Sequence, residues 1–255
     1  PLTGVALERA LAETLRLPAR SGTPDYRILP AVANRRYPKR FAAHYAVETE
    51  PGILAIVLRL ADASASYRVP RGPRRAVLYV SHRSADAELR DEPLVREVMA
   101  ADPDAAVFAC DVRGIGDSQP NTTSKGFTDP YGSDYFYAIY GIMSDQPYPA
   151  QRAFDILRVV DWLQAHGHEE IHLVAKGWGA IPATFAALLA PAVKRVTLKH
   201  ALSSYADIAA AEDYDWPLSA FIPEVLKTFD LPDCYAALAG KQLKLIETKG
   251  AQSGL

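Results

Sequence analysis

Hydrophobic positions along the chain change their period near residue 75. Before that point Val5, Leu7, Ala10, Leu11 and Leu15 recur at helical spacing and predict a helix over residues 5–16. Residues 17–40 are rich in Pro, Arg and Gly and read as a connector. Residues 41–47 and 53–60 read as strands joined at Pro51-Gly52, a hairpin signal, and Arg71-Gly72-Pro73 then breaks the pattern. From there short apolar runs alternate with helical periods. Residues 76–80, 105–110, 171–175, 196–198 and 243–246 read as strands. Leu89, Val95 and Val98 lie on one helix, and Phe154, Leu157, Val160 and Leu163 mark one face of another over 151–166. A helix over 179–190 and two short ones over 217–239 complete the series. Uninterrupted apolar strands between helices imply a mainly parallel, doubly wound α/β sheet covered on both faces. The expected organisation is an N-terminal helix and connector over 1–40 and one α/β domain over 41–255.

Composition narrows this little. The 255 residues are 49% hydrophobic and 23% charged, with a net charge of -2, enough for one well-buried domain. There is no basic stripe, so nucleic acid is not an expected partner. No apolar run approaches the roughly 18 residues of a membrane span. The first residues, Pro1-Leu2-Thr3-Gly4, show neither an initiator Met nor a signal peptide. They suggest a mature product or a piece of something longer, and leave the compartment open. Cys110 falls in an expected strand and Cys234 in an expected helix, so two separate buried thiols are expected rather than a disulfide.

The chemistry concentrates at residues 171–180, Ile-His-Leu-Val-Ala-Lys-Gly-Trp-Gly-Ala. An apolar run meets a small-x-x-x-small turn, and a small-residue helix follows. This resembles the nucleophile elbow of α/β-hydrolases, in which a sharp strand-to-helix turn lifts a Ser, Cys or Asp above the sheet. Ala175 and Gly179 hold the outer small places, and Gly177 stands where the nucleophile belongs. Glycine has no side chain with which to attack a carbonyl. Residues 111–118, Asp-Val-Arg-Gly-Ile-Gly-Asp-Ser, resemble the Asp-x-Arg-Gly-x-Gly-x-Ser loop of the prolyl-oligopeptidase, dienelactone-hydrolase and acetyl-xylan-esterase type. Residues 151–166 and 231–238 resemble helices of the same proteins, so the likeness spans roughly 75–247.

That resemblance implies an α/β-hydrolase fold truncated at its C-terminal end, with a degenerate site. The turn where the family places its acid reads Glu247-Thr248-Lys249-Gly250, without Asp, and no His follows His200. The resemblance also implies an oxyanion hole from the N–H of Trp178 and the loop His82-Arg83-Ser84, at a helix N-terminus that favours anions. Gly177 is expected near positive φ.

His82 and His200 are both expected at the carboxyl edge of the sheet, either as a binding or acid–base pair or as two hydrogen-bonded edge histidines. Asp111 and Asp117 belong to the same edge, with Asp111 expected to hydrogen-bond the Arg113-Gly114 turn. The stretch from His166 to His172 lies at the opposite end of the sheet and reads as a solvated turn, not a metal site. Gly114-Ile115-Gly116 is followed by Gln119 where a dinucleotide loop would need its third glycine, so no cofactor is expected. Tyr131, Tyr135, Phe136, Tyr137, Tyr140 and Tyr148, with residues 213–217 beside them, are expected to stack on a sugar, grip a partner chain or pack as a satellite core. Two functions compete. One is a non-catalytic hydrolase-like domain, the accessory half of a larger esterase, binding a partner hydrolase domain or subunit, or a carbohydrate or ester ligand. The other is an active ester hydrolase with a displaced or partner-supplied catalytic residue. A Ser or Cys within hydrogen-bond reach of His82 or His200 discriminates them.

Overall fold

Uninterrupted apolar strands force a sheet with both faces covered, and the computed structural model, which describes residues 2–30, 35–64, 68–120 and 133–252, contains one. Among the described residues eight strands run in the order β1-β2-β3-β5-β4-β6-β7-β8. They are β1 (Tyr26–Leu29), β2 (Phe41–Glu50), β3 (Ile53–Ala61), β4 (Arg75–Val80), β5 (Ala106–Asp111), β6 (Glu170–Lys176), β7 (Val193–Lys199) and β8 (Leu243–Ile246). The five strands β4 to β8 are mutually parallel. β1, β2 and β3 join them through antiparallel pairings.

The helices are α1 (Gly4–Leu15), α2 (Ala85–Asp91), α3 (Pro93–Ala101), α4 (Ser133–Met143), α5 (Tyr148–Ala165), α6 (Ala180–Leu189), α7 (Tyr205–Ala210) and α8 (Leu231–Leu238). Alternation along each strand sends neighbours to opposite faces. Leu78, Phe108 and Leu173 meet Leu11, Ile156, Phe185 and Leu238 from α1, α5, α6 and α8. Val77, Tyr79, Val107 and Val174 meet Leu89, Val95 and Val98 from α2 and α3. Cys110 and Cys234 are buried free thiols in these layers. Among the described residues no helix is long and apolar enough to cross a membrane.

The structure departs from the expected elements in four places. The segment read as a connector holds β1, an edge strand paired to β2 from Tyr26↔Val47 to Leu29↔His44. The single helix expected over 89–98 is two, because Glu92 ends α2 and its carboxylate caps α3, whose first residue is Pro93. The aromatic segment contains α4, and α7 follows β7. Tyr131 lies outside the described residues.

One buried ion network ties the hairpin to the loop after β5 and to α5. Asp155 of α5 is fully buried and accepts from Thr49 Oγ1 at 2.6 Å and from Arg113 at N (3.0 Å), Nε (2.8 Å) and Nη2 (2.6 Å). Arg113 also reaches Glu50 at 2.5 Å. Removing the carboxylate leaves a guanidinium that is itself only 11% exposed with Glu50 as its one remaining anionic partner, and leaves Thr49 Oγ1 without its acceptor. Asp155→Ala is therefore expected to cost about 3–5 kcal/mol of stability. Denaturant unfolding measures it, and an unchanged midpoint would show that the network carries no stability.

Candidate functional site

β6 ends at Lys176, and residues Gly177–Gly179 form a tight 3₁₀ turn into α6. Gly177 has φ +52°, a left-handed conformation that glycine adopts without a Cβ penalty. Gly179 is needed for a different reason. A Cβ there would sit 2.6 Å from the Ser81 carbonyl oxygen and 2.9 Å from that of Val80, both backbone atoms at the end of β4. The small outer residues thus let the elbow press against the neighbouring strand.

The space above Gly177 is filled. A Cβ built on Gly177 would lie 2.5 Å from His82 Nδ1 and 3.0 Å from its Cε1 and Cγ. The imidazole of His82 occupies the volume that a nucleophilic side chain would take. The N–H of Trp178, expected from the sequence as an oxyanion donor, donates to His82 Nδ1 at 3.0 Å. The Trp178 indole stands edge-on to the same ring at 5.0 Å, and the Arg83 guanidinium lies 5.3 Å over the indole. Burial above all, helped by the charges of Arg83, Lys176 and His200, pushes the His82 pKa down to about 4. The ring is neutral, with its lone pair on Nδ1 and its proton on Nε2. Arg83 Nε–H also points at this ring, 3.2 Å from Nε2; a neutral imidazole offers a single lone pair, and the shorter contact assigns it to the Trp178 N–H.

The second expected set of anion donors is also engaged. The backbone N–H groups of His82, Arg83 and Ser84 donate to the Glu88 carboxylate at 3.0, 2.7 and 3.1 Å. The Tyr79 hydroxyl donates to the same carboxylate at 2.6 Å. Ser84 caps α2 through Ala87 N, so the loop is closed by its own helix. Asp111 does not bond the Arg113-Gly114 turn as expected. Its Oδ1 accepts from Ser81 Oγ (2.6 Å) and Ala85 N (2.7 Å), and its Oδ2 accepts from Asp117 N (3.0 Å). It fastens the loop after β4 to the loop after β5, and its burial raises its pKa to about 6.

His200 follows β7 with φ +53°, and its Nε2–H donates to Glu247 Oε2 at 2.7 Å. Among the described residues no Ser hydroxyl or Cys thiol is hydrogen-bonded to His82 or His200. At the same edge Glu92 accepts from Lys176 Nζ at 2.5 Å and Lys199 Nζ at 2.8 Å, and the two ammonium groups hold its pKa at about 2 against burial. Sequence reasoning missed Glu88, Glu92 and Glu247 as site residues. A signal existed for Glu88 alone, an acid in the first turn of the helix that follows the loop after β4.

The His166–His172 stretch lies at the amino end as expected, but it is not a solvated turn. His168 is fully buried, donates from Nδ1 to the Pro73 carbonyl at 2.7 Å, and stands edge-on to Phe108 at 5.1 Å. Gly72 lacks a Cβ because that ring takes its place. Of the aromatic segment, Tyr137 stacks on Tyr148 at 6.3 Å, Tyr148 is buried, and Tyr140 is exposed. Both stacked rings line a cavity of about 490 Å³ with Ile53, Arg113, Asp117 and Gln151. Trp216 is a packing residue, buried and bonded from Nε1 to the Gly250 carbonyl at 2.8 Å.

Known proteins share this architecture. A Bacteroides fragilis protein provisionally named as an acetyl xylan esterase superimposes with a TM-score of 0.68 at 15% identity, over 95% of this chain and 66% of its own. The chain thus spans about two thirds of that relative's length. Acetyl xylan esterase 1 from Thermoanaerobacterium sp. JW/SL YS485 matches with a TM-score of 0.54 at 14% identity, over 98% of this chain and 89% of its own. The acetyl xylan esterase of Paenibacillus sp. R4 matches with a TM-score of 0.52 at 14% identity, over 96% and 87%. At these identities the likeness is one of fold. No curated protein matches the sequence. The model of the alpha/beta hydrolase fold family matches residues 91–240, more than half of the chain, and contains both the elbow and the loop after β5. The chain belongs to the α/β-hydrolase fold family.

Proposed function

We propose that this chain is a non-catalytic α/β-hydrolase-fold domain, the accessory part of a larger esterase, which binds a partner hydrolase domain or a carbohydrate or ester ligand. One observation carries the reading: the His82 ring stands where the nucleophile would be and accepts the hydrogen bond of the elbow's own amide. An ester carbonyl has neither an attacking group nor that donor at the elbow. The cavity supports a ligand with an apolar surface and hydroxyl groups, since Tyr137, Ile53 and the amide and carboxylate of Gln151 and Asp117 border it. The rival, an active ester hydrolase with a displaced nucleophile, requires a Ser or Cys on His82 or His200, and neither histidine has one among the described residues.

Release of p-nitrophenol from p-nitrophenyl acetate tests the reading. The native chain is expected to match a heat-denatured control. Saturable turnover by the native chain would refute the proposal. Gly177→Ser alone is expected to remain inactive and to lose stability. A non-glycine residue in the left-handed region costs about 1–2 kcal/mol, and the clash with His82 adds to that. A melting temperature equal to the native one would show that the ring moves aside freely.

The same ring gives a pH dependence. His82 has a pKa of about 4 when folded and 6.5 when exposed, so between these values the unfolded chain binds the proton that the folded chain refuses. Its contribution to stability is present above pH 6.5 and is lost as the pH falls toward 4. His82→Gln keeps an acceptor for Trp178 N–H without this titration. Thermal melts at both pH values should therefore show a smaller acid loss in the variant than in the native chain. Equal losses would remove His82 from the account.

A further inference from the structure

Three residues at the carboxyl edge stand in one row. Lys176 is paired with Lys199, and Lys199 with Ile246. Gly177, His200 and Glu247 are the next residues on those three adjacent parallel strands. All three leave the sheet in the left-handed region, at φ +52°, +53° and +49°. For a glutamate that conformation is an outlier, and such outliers persist where surrounding structure imposes them. Two of the three side chains are joined, His200 Nε2–H to Glu247 at 2.7 Å. The remaining imidazole nitrogen, Nδ1, is closed off from solvent and has no hydrogen-bond partner, which calls for an explanation in a polar group so placed.

We infer that His200 is a general base oriented by Glu247 and aligned with the elbow, so that the native site departs from a hydrolytic one at two side chains, the one missing at Gly177 and the His82 ring in its place. The inference rests on the reading of the native elbow as blocked. Nucleophile, base and orienting acid are recognised by geometry and role rather than by order along the chain. Here the elbow, the base and the acid come from the ends of β6, β7 and β8. Glu247 fixes the proton on Nε2, and the lone pair of Nδ1 is left for a hydroxyl proton. With Gly177→Ser and His82→Gly together, the introduced hydroxyl gains space and Trp178 N–H is freed to receive an oxyanion. The hydroxyl oxygen bonds to the ester carbonyl carbon while its proton passes to His200 Nδ1. The alcohol then departs, taking that proton, and leaves an acyl ester on the introduced side chain. Water hydrolyses it by the same route: its proton goes to Nδ1, its oxygen bonds to the acyl carbon, and the regenerated hydroxyl recovers the proton as the acid leaves.

The double variant Gly177→Ser/His82→Gly with p-nitrophenyl acetate tests this. The expected result is a burst of about one p-nitrophenol per chain followed by slow turnover, since the loop amides remain on Glu88 and one oxyanion donor is absent. Adding His200→Ala should slow the burst by about 10²–10⁴-fold, the usual worth of a general base. Adding Glu247→Gln should lower kcat with little change in KM, as expected of a positioning residue. A folded double variant with no burst, or a burst indifferent to His200→Ala, overturns the inference. Turnover by the native chain would instead overturn the non-catalytic reading, so the two failures are distinct. Nitrogen-15 NMR of the native chain provides a check independent of the variant's folding. A bare Nδ1 and protonated Nε2 on His200 support the inference, and the opposite tautomer contradicts it.

Discussion

A buried imidazole against a residue with no side chain organises the carboxyl edge of this sheet. His82 and Gly177 are complementary. A side chain on the elbow would leave the ring nowhere to go, and a smaller residue at 82 would leave a void over the elbow and an unpaired amide on Trp178. Burying a polar ring is unfavourable unless it is hydrogen-bonded, and the N–H of Trp178 is a donor whose position the start of α6 fixes. Desolvation keeps the ring neutral, neutrality keeps Nδ1 an acceptor, and the acceptor satisfies the elbow's amide.

The rest of the edge follows the same logic, with acids of the chain itself closing its backbone donors. Glu88 gathers the three amides after β4. Asp111 gathers Ala85 and Asp117 and joins two loops. Glu92 caps α3 and draws Lys176 and Lys199 together at the same edge. Donors aimed at the sheet edge are the usual means by which this architecture holds a ligand's charge. Here most of them hold the protein's own carboxylates. The pair His200–Glu247 stands apart, because its inner nitrogen is left unmatched.

The layers were legible from periodicity because β4, β5 and β6 are apolar on both faces and no other arrangement buries such runs. The elbow was legible because Ala175, Gly177 and Gly179 satisfy steric demands that few other residues meet. β1 was not legible: it is four residues long, lies among Arg and Pro, and pairs along one edge only, so tertiary pairing rather than local pattern creates it. Asp111 and His168 show the limit for side chains. Which donor a carboxylate finds, and whether a histidine near a turn is wet or dry, depends on strands far apart in sequence, Ser81 for one and Phe108 for the other. Glu247 was passed over because the turn was searched for Asp in one expected place. Its significance comes from the parallel register of β7 and β8, which no spacing along the chain reveals.

The most direct test of the central claim is the hydrogen bond between Trp178 and His82 itself. In the uniformly nitrogen-15-labelled native chain, a trans-hydrogen-bond coupling between the Trp178 amide nitrogen and His82 Nδ1 is expected, with the ring proton on Nε2 and the Trp178 amide protected from exchange. A His82 ring protonated on Nδ1, with no coupling and a freely exchanging Trp178 amide, would mean that the elbow is open and its donor available, contrary to this account.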